Sequence, residues 1–159
     1  MADVTYLTRS SLERLENRLA HLRKNVLPNL IKQVGEAASF GDLSENFEWQ
    51  SAKQQRDMVR TEILKIENLL AHYQLIETLP VTGEAVTIGT KVSLLDLKTQ
   101  DEVTYSILGS EDIDPKSNII SHTSPIARSL MMKEEGDIAS VVTPSGTKQY
   151  EVVSIEKIF

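Results

Sequence analysis

Within Gly41-Asp42-Leu43-Ser44-Glu45-Asn46 two carboxylates stand three residues apart. Hard oxygen donors of this kind coordinate Mg²⁺, but Mg²⁺ demands near-ideal octahedral oxygen coordination, and two side chains fall well short of such a cage. A metal role for Asp42 and Glu45 therefore needs ligands from a partner. Two-metal phosphoryl-transfer chemistry, in which one ion activates the attacking oxygen and the other stabilises the leaving oxygen, offers a target, since a loosely held second ion could be completed by borrowed carboxylates. The same spacing also reads as a capping box, with Asp42 at the N-cap of the following helix and Glu45 at N3. Spacing alone favours the cap. The two roles are compatible, since a capped turn is rigid and presents its carboxylates in fixed geometry.

Behind this segment Lys53, Arg56 and Arg60 recur at i, i+3 and i+7, which puts three cations on one helix face where they could steer a nucleic-acid backbone. Interleaved Glu48, Asp57 and Glu62 make a solvated helix surface the plainer reading. Phe47 and Trp49 could stack on a base or close the end of a hairpin by packing. His21, His72 and His122 have no metal-ligand spacing and receive no role. The chain has no cysteine, which excludes disulfide frameworks, thiolate zinc sites, iron–sulfur clusters and cysteine nucleophiles.

The elements that must position these residues are legible from periodicity. Leu12, Leu15, Leu19, Leu22 and Val26 step by 3, 4, 3 and 4, and Leu30, Val34 and Ala38 extend the stripe past Pro28. This predicts one long helix, capped by Ser10 with Glu13, that is kinked or locally broken at the proline. Gly41 to Asn46 carries helix-ending and turn-forming residues, so the chain reverses there. Ala52, Val59, Ile66 and Tyr73 then lie seven apart, with Leu69 and Ile76 as companions and Gln55 and Glu62 interrupting that companion row. Two helices of about 30 residues give an antiparallel coiled-coil hairpin about 45 Å long, assigned to residues 1–78 with its tip at 41–46.

After Leu79-Pro80-Val81-Thr82-Gly83 the period becomes strand-like. Residues 86–88, 91–95, 103–108, 138–142 and 150–155 are candidate strands. Asp114-Pro115 and Pro144-Ser145-Gly146 mark turns, and Ser124-Pro125-Ile126-Ala127-Arg128-Ser129-Leu130-Met131 reads as a short helix capped by Ser124. Residues 79–159 thus form a small globular domain on an antiparallel sheet, and the fold class is α+β. The chain has 159 residues and a net charge of -6. Residues 1–76 carry ten basic and ten acidic side chains, and residues 77–159 carry seven and thirteen, so the second half holds all of the excess. That balance argues against a protein that coats nucleic acid through its phosphates. No signal peptide and no membrane-length apolar run is visible, so the expected location is the cytoplasm, with no membrane partner.

Taken together, Gly41-Asp42-Leu43-Ser44-Glu45-Asn46 with Glu48-Trp49, Ser121 with Ser124-Pro125-Ile126-Ala127-Arg128-Ser129-Leu130, and Glu134-Glu135-Gly136-Asp137 resemble the bacterial GreA/GreB transcript cleavage factors. The resemblance runs from the leucine stripe and Pro28-Asn29-Leu30-Ile31 to Tyr150-Glu151-Val152. It implies an N-terminal coiled coil and a C-terminal FKBP-like domain acting on backtracked RNA polymerase. The globular domain would dock at the rim of the secondary channel through Ser121, Ser124, Pro125, Ile126 and Ala127, while the coiled coil enters the channel toward the nascent RNA 3′ end. It further implies that Asp42 and Glu45 help hold the second Mg²⁺ of the polymerase active site. No cofactor would be bound by the chain alone, the chain itself would not be an enzyme, and it would act as a monomer. Glu36-Ala37-Ala38-Ser39-Phe40 lacks the basic residue that GreA-type members often carry and is closer to GreB-type sequences. The basic patch of Lys53, Arg56 and Arg60 is smaller than the dense GreB-type one, and the balance leans to the GreA type. Phe47 and Trp49 replace the small residue and tyrosine usual at these places.

Two rivals remain at this level. A Gre-fold inhibitor would occupy the same channel without stimulating cleavage, but such homologues carry an acidic cluster at the tip where this chain has only Asp42 and Glu45. A peptidyl-prolyl isomerase would need an aromatic-lined pocket, and residues 80–159 contain only Tyr105, Tyr150 and Phe159. Zinc-containing coiled-coil regulators of the same channel are excluded by the missing cysteines.

Overall fold

A computed structural model describes residues 3–41 and 46–159. The chain divides into two compact units, one of residues 12–72 and one of residues 3–11 with 73–159. Residues 3–11 and 73–78, expected in the hairpin, thus belong to the second unit. The reason is strand pairing. β1 (Thr5–Leu7) pairs in parallel with β2 (Tyr73–Leu75), Tyr6 opposite Gln74.

The first helical arm comprises α1 (Arg9–His21), a π-helical stretch (Leu22–Val26) and α2 (Leu27–Ala38). Pro28 explains the π stretch: it has no N–H to donate and its ring crowds the carbonyl four residues back. The turn before it widens, and the Leu27 N–H bonds the Leu22 carbonyl five residues back. The local break expected at the proline is therefore a π insertion, with helical backbone on both sides. α1 begins two residues earlier than a Ser10 cap implies. Thr8 Oγ1, not Ser10, accepts from the N-terminal turn, at 3.1 Å from the Ser11 N–H. The Thr8 hydroxyl in turn donates to Asp112 at 2.8 Å, and the Ser11 hydroxyl donates to the same carboxylate. These buried hydroxyls are thus satisfied by one acid.

The second arm is the single helix α3 (Phe47–Ala71). Leu15, Leu19, Leu22, Leu30 and Ala37 are buried on the first arm, and Ala52, Ile63 and Ile66 on the second. Ile63 takes the companion place expected at Glu62. Glu62 flanks the seam instead, where Arg18 donates from Nε at 2.9 Å and holds the carboxyl below its ordinary range. Arg23 and Glu67 form a second pair between the arms. Extending the seven-residue row to Tyr73 and Ile76 is corrected. Tyr73 is exposed in β2, and Ile76 is buried in a 3₁₀ turn of the second unit (Ile76–Thr78).

The second unit holds a five-stranded sheet of order β5-β4-β3-β7-β6, built from β3 (Thr90–Asp96), β4 (Glu102–Leu108), β5 (Ile119–Ser121), β6 (Ile138–Thr143) and β7 (Gly146–Lys157). All neighbours are antiparallel except β4 and β5. β3 alternates as a half-buried strand should: Val92 and Leu94 face the core. A two-residue turn at Pro144 and Ser145 joins β6 to β7, closing on the Thr143–Gly146 pair. The helix α4 (Pro125–Leu130) packs Ala127 and Leu130 onto Val86, Val92, Leu94, Ile107 and Val152. Residues 86–88, expected as a strand, instead lead into a turn at Ile88 and Gly89, closed where the Thr90 hydroxyl donates to the Thr87 carbonyl at 2.6 Å. Local side-chain hydrogen bonding there outweighs β-branched propensity. Gly89 completes it at φ +91°, where a Cβ would lie 3.0 Å from Val81 Cγ2. Among the described residues no helix is long and apolar enough to cross a membrane.

Candidate functional site

The end of the hairpin is built by its flanks. Asp42 and Glu45, with the capping role expected for them, lie outside the described residues. The helix they were expected to cap is nevertheless capped by Asn46: its Oδ1 accepts from the Trp49 N–H at 3.0 Å, and its backbone is extended at φ −89°, ψ 95°. The cap of α3 is therefore corrected from Asp42 to Asn46. Asn46 also reaches across the reversal, since its Nδ2 donates to the Ala37 carbonyl at 2.6 Å. That carbonyl is one of the orphan acceptors that any helix leaves at its C-terminus. The Phe40 N–H reaches it as well, at 3.3 Å, and Ser39 donates from N and Oγ to the Glu36 carbonyl. One side chain thus ties the end of α2 to the start of α3.

Sequence reasoning missed this double role of Asn46, although a signal was present. Asparagine is among the best N-cap residues, and Glu48 two places on supplies an acid to the first turn. The aromatic residues separate into two groups. Phe47 is 81% exposed and Phe40 75% exposed, so neither closes the hairpin by packing. Trp49 is half-buried, and the Lys53 ammonium stands 4.5 Å from its ring centroid, a cation–π distance.

That pairing changes how the basic row reads. Lys53 is directed at Trp49. Arg56 donates from Nε and Nη2 to Asp57 Oδ1, both at 3.1 Å, with its side chain 21% exposed. Arg60 is exposed. The three cations share a helix face, but two of them are already engaged by neighbours on α3. Among the described residues no group of three His, Asp or Glu side chains is placed to hold a metal ion.

In the second unit the five residues of the expected docking element divide by burial. Ser124 caps α4, accepting from the Ala127 N–H at 3.3 Å. Pro125 occupies the first turn, exposed, where its missing N–H costs nothing. Ile126 is half-buried against the core, and Ala127 is fully buried. Ser121 is buried, with its hydroxyl 2.8 Å from Thr123 Oγ1 and 3.2 Å from Ser110 Oγ. Ser121 and Ala127 therefore shape this surface from beneath, while Pro125 presents it. Next to Ser121, His122 meets Tyr6 of β1 edge-on at 5.2 Å between ring centroids. Glu134-Glu135-Gly136-Asp137 is a closed turn: Asp137 Oδ2 accepts from the Glu134 N–H at 2.8 Å, and Gly136 has φ +88°. Past α4, Met132 adopts φ +64° and is 71% exposed, an uncommon backbone conformation for a side-chain-bearing residue.

Two family models match the chain in sequence order. One described as "Transcription elongation factor, N-terminal" covers residues 5–75, and one described as "Transcription elongation factor, GreA/GreB, C-term" covers residues 81–157. The chain is 39% identical to a transcription elongation factor GreA of Phenylobacterium zucineum over 94% of its length and 96% of that protein. It is also 39% identical to one of Methylococcus capsulatus, over 97% and 98%. Among solved structures it is similar to GreA factor homolog 1 of Thermus thermophilus, at 24% identity, 97% and 99% coverage and a TM-score of 0.45.

Proposed function

The chain belongs to the GreA/GreB family of transcription elongation factors, and from that premise we propose that it stimulates the cleavage of backtracked RNA by RNA polymerase, supplying residues to a reaction whose active site is the polymerase's own. The observation that carries the reading is the match of both halves, in order, to the two domains of one family. In this reading the hairpin enters the secondary channel, the sheet unit docks at its rim, and the factor acts as a monomer in the cytoplasm.

Asp42 and Glu45 would hold Mg²⁺ together with ligands of the polymerase. Their chemistry fits, as both are hard oxygen donors, and their number requires the partner. Bound there, Mg²⁺ supplies charge stabilisation to the attacked phosphodiester. The chain's own work is positional. Asn46 joins the end of α2 to the start of α3, the two helix ends between which the sequence places Asp42 and Glu45. Pro125, at the exposed start of α4, presents the docking contact.

The test uses stalled, backtracked elongation complexes carrying labelled RNA, incubated with the protein and Mg²⁺. Release of short 3′ fragments, followed by extension of the new 3′ end, is expected. Magnesium-dependent cleavage of naked RNA by the protein alone, surviving repurification, would refute the borrowed-site reading.

A further inference from the structure

We infer that Phe40 and Phe47 form a stacking site for an unpaired base of the extruded RNA, an inference that rests on the cleavage reading above. Single exposed apolar residues need no explanation, but here two phenylalanines at 75% and 81% exposure bracket one short segment. Their backbones are tied together. Asn46, adjacent to Phe47, donates to the carbonyl of Ala37, and the Phe40 N–H bonds the same carbonyl. Both rings are thus mounted on fixed backbone at the end of the hairpin, and the packing there is carried by Ala37 and Ala52 instead.

The surrounding charge selects the ligand. Glu36 and Glu48 are exposed on the two helix ends, and the sequence adds Asp42 and Glu45 between them. Of the nearby cations, Lys32 lies 3.9 Å from Glu36 and Lys53 stands over Trp49. A phosphate beside the rings would thus meet acids and cations that are already engaged, whereas the scissile phosphate of the cleavage reading is met through the shared Mg²⁺. The face of a base is uncharged, stacks on phenyl rings, and does so with little regard to sequence, which suits a factor that must accept whatever nucleotide has been extruded. Trp49 is excluded from the site because a lysine already occupies its neighbourhood.

The experiment measures single-turnover fragment release from backtracked complexes for the parent, Phe40→Ala, Phe47→Ala, Phe47→Leu and Phe47→Tyr. Each is assayed on RNA with an ordinary extruded 3′ nucleotide and on RNA with an abasic one. Melting temperatures should not fall, because the rings are exposed. On ordinary RNA both alanine variants should slow release about tenfold, within the range of one lost base–aromatic stack. Phe47→Leu should behave like Phe47→Ala, and Phe47→Tyr like the parent. On abasic RNA the parent should fall to the rate of the alanine variants. If the alanine variants are slow by the same factor on both RNAs, the rings contact protein and the inference is overturned. Parent-like rates for both alanine variants on both RNAs overturn it too. A parent that releases no fragment would instead refute the cleavage reading itself.

Discussion

Asn46→Ala should destabilise the hairpin by about 2 kcal/mol. Loss of the N-cap bond to the Trp49 N–H costs about 1 kcal/mol. Loss of the bond to the Ala37 carbonyl costs about 1 kcal/mol more, the net worth of a typical intramolecular hydrogen bond. Asn46→Asp separates the two contributions. A carboxylate still caps, and it gains about 0.3–1 kcal/mol from the helix dipole, but it cannot donate and sets its oxygens against a carbonyl. Asn46→Asp should therefore lie between parent and Asn46→Ala in urea unfolding of the full chain. Amide exchange gives the local signature. The Trp49 N–H should lose protection in Asn46→Ala and keep it in Asn46→Asp. Fragment release from backtracked complexes should slow in both variants, since both unfasten the helix ends that carry Asp42 and Glu45. If both variants unfold within about 0.5 kcal/mol of the parent, the size of an ordinary surface substitution, the clasp does not hold the end of the hairpin. If stability falls as expected while cleavage is untouched, the clasp is structural only.

Because Asn46 caps α3, Asp42→Ala and Glu45→Gln should change the melting temperature little while abolishing fragment release and sparing competition for polymerase; cleavage at the parent's rate would remove the metal role from that residue. Pro125→Glu should weaken binding to polymerase with the fold intact, since an acid in the first turn of a helix is favourable; undiminished competition binding would place docking elsewhere. Met132→Gly should stabilise the sheet unit by about 1 kcal/mol, because a left-handed backbone costs a side-chain-bearing residue about 1–2 kcal/mol and glycine far less; an unchanged or lower melting temperature would refute the strain. The Lys98 and Thr99 N–H groups bond Asp96 at 2.9 and 3.2 Å and hold its carboxyl below the ordinary range. With its folded value depressed, Asp96 contributes stability that is complete above the unfolded value and is lost as pH falls through the folded one. Asp96→Ala should accordingly be less stable than the parent at neutral pH and approach it in acid, and a pH-independent difference would contradict this.

What the sequence made legible follows from how many residues vote on each feature. The leucine row from Leu15 to Leu30 and the alternation in β3 are set by repeated apolar spacing, and a stray residue does not disturb them. Helix ends are set by single side chains competing for the same amides. Ser10 with Glu13 and Asp42 with Glu45 match a capping pattern as well as Thr8 and Asn46 match a simple cap. The choice is made by bonds that sequence spacing does not contain, from Thr8 to Asp112 and from Asn46 to Ala37. The short strands were invisible for a similar reason. β1, β2 and β5 have three residues each, and their pairing partners lie far along the chain or in parallel register.

The seam of α3 shows the limit at finer scale. A strict seven-residue count places Glu62 beside Val59 and Ile66 and continues to Tyr73. The helix instead buries Ile63 and ends at Ala71. Burial of Ile63 removes apolar surface from water at about 25 cal/mol per Å², whereas Glu62 in its place would have to leave water with a charge. Glu62 gains more at the edge, where Arg18 of α1 reaches it. The same logic bears on Lys53 and Arg56. Spacing alone assigns them to a nucleic-acid backbone, but Trp49 and Asp57 already engage them on their own helix, and a phosphate must compete with those contacts. At the end of the hairpin the two phenylalanines face no such competition. There the exposed groups beside the acids are neutral rings, and a base is the part of RNA that those rings can take, while in the proposed reaction a phosphate is met only through the shared Mg²⁺.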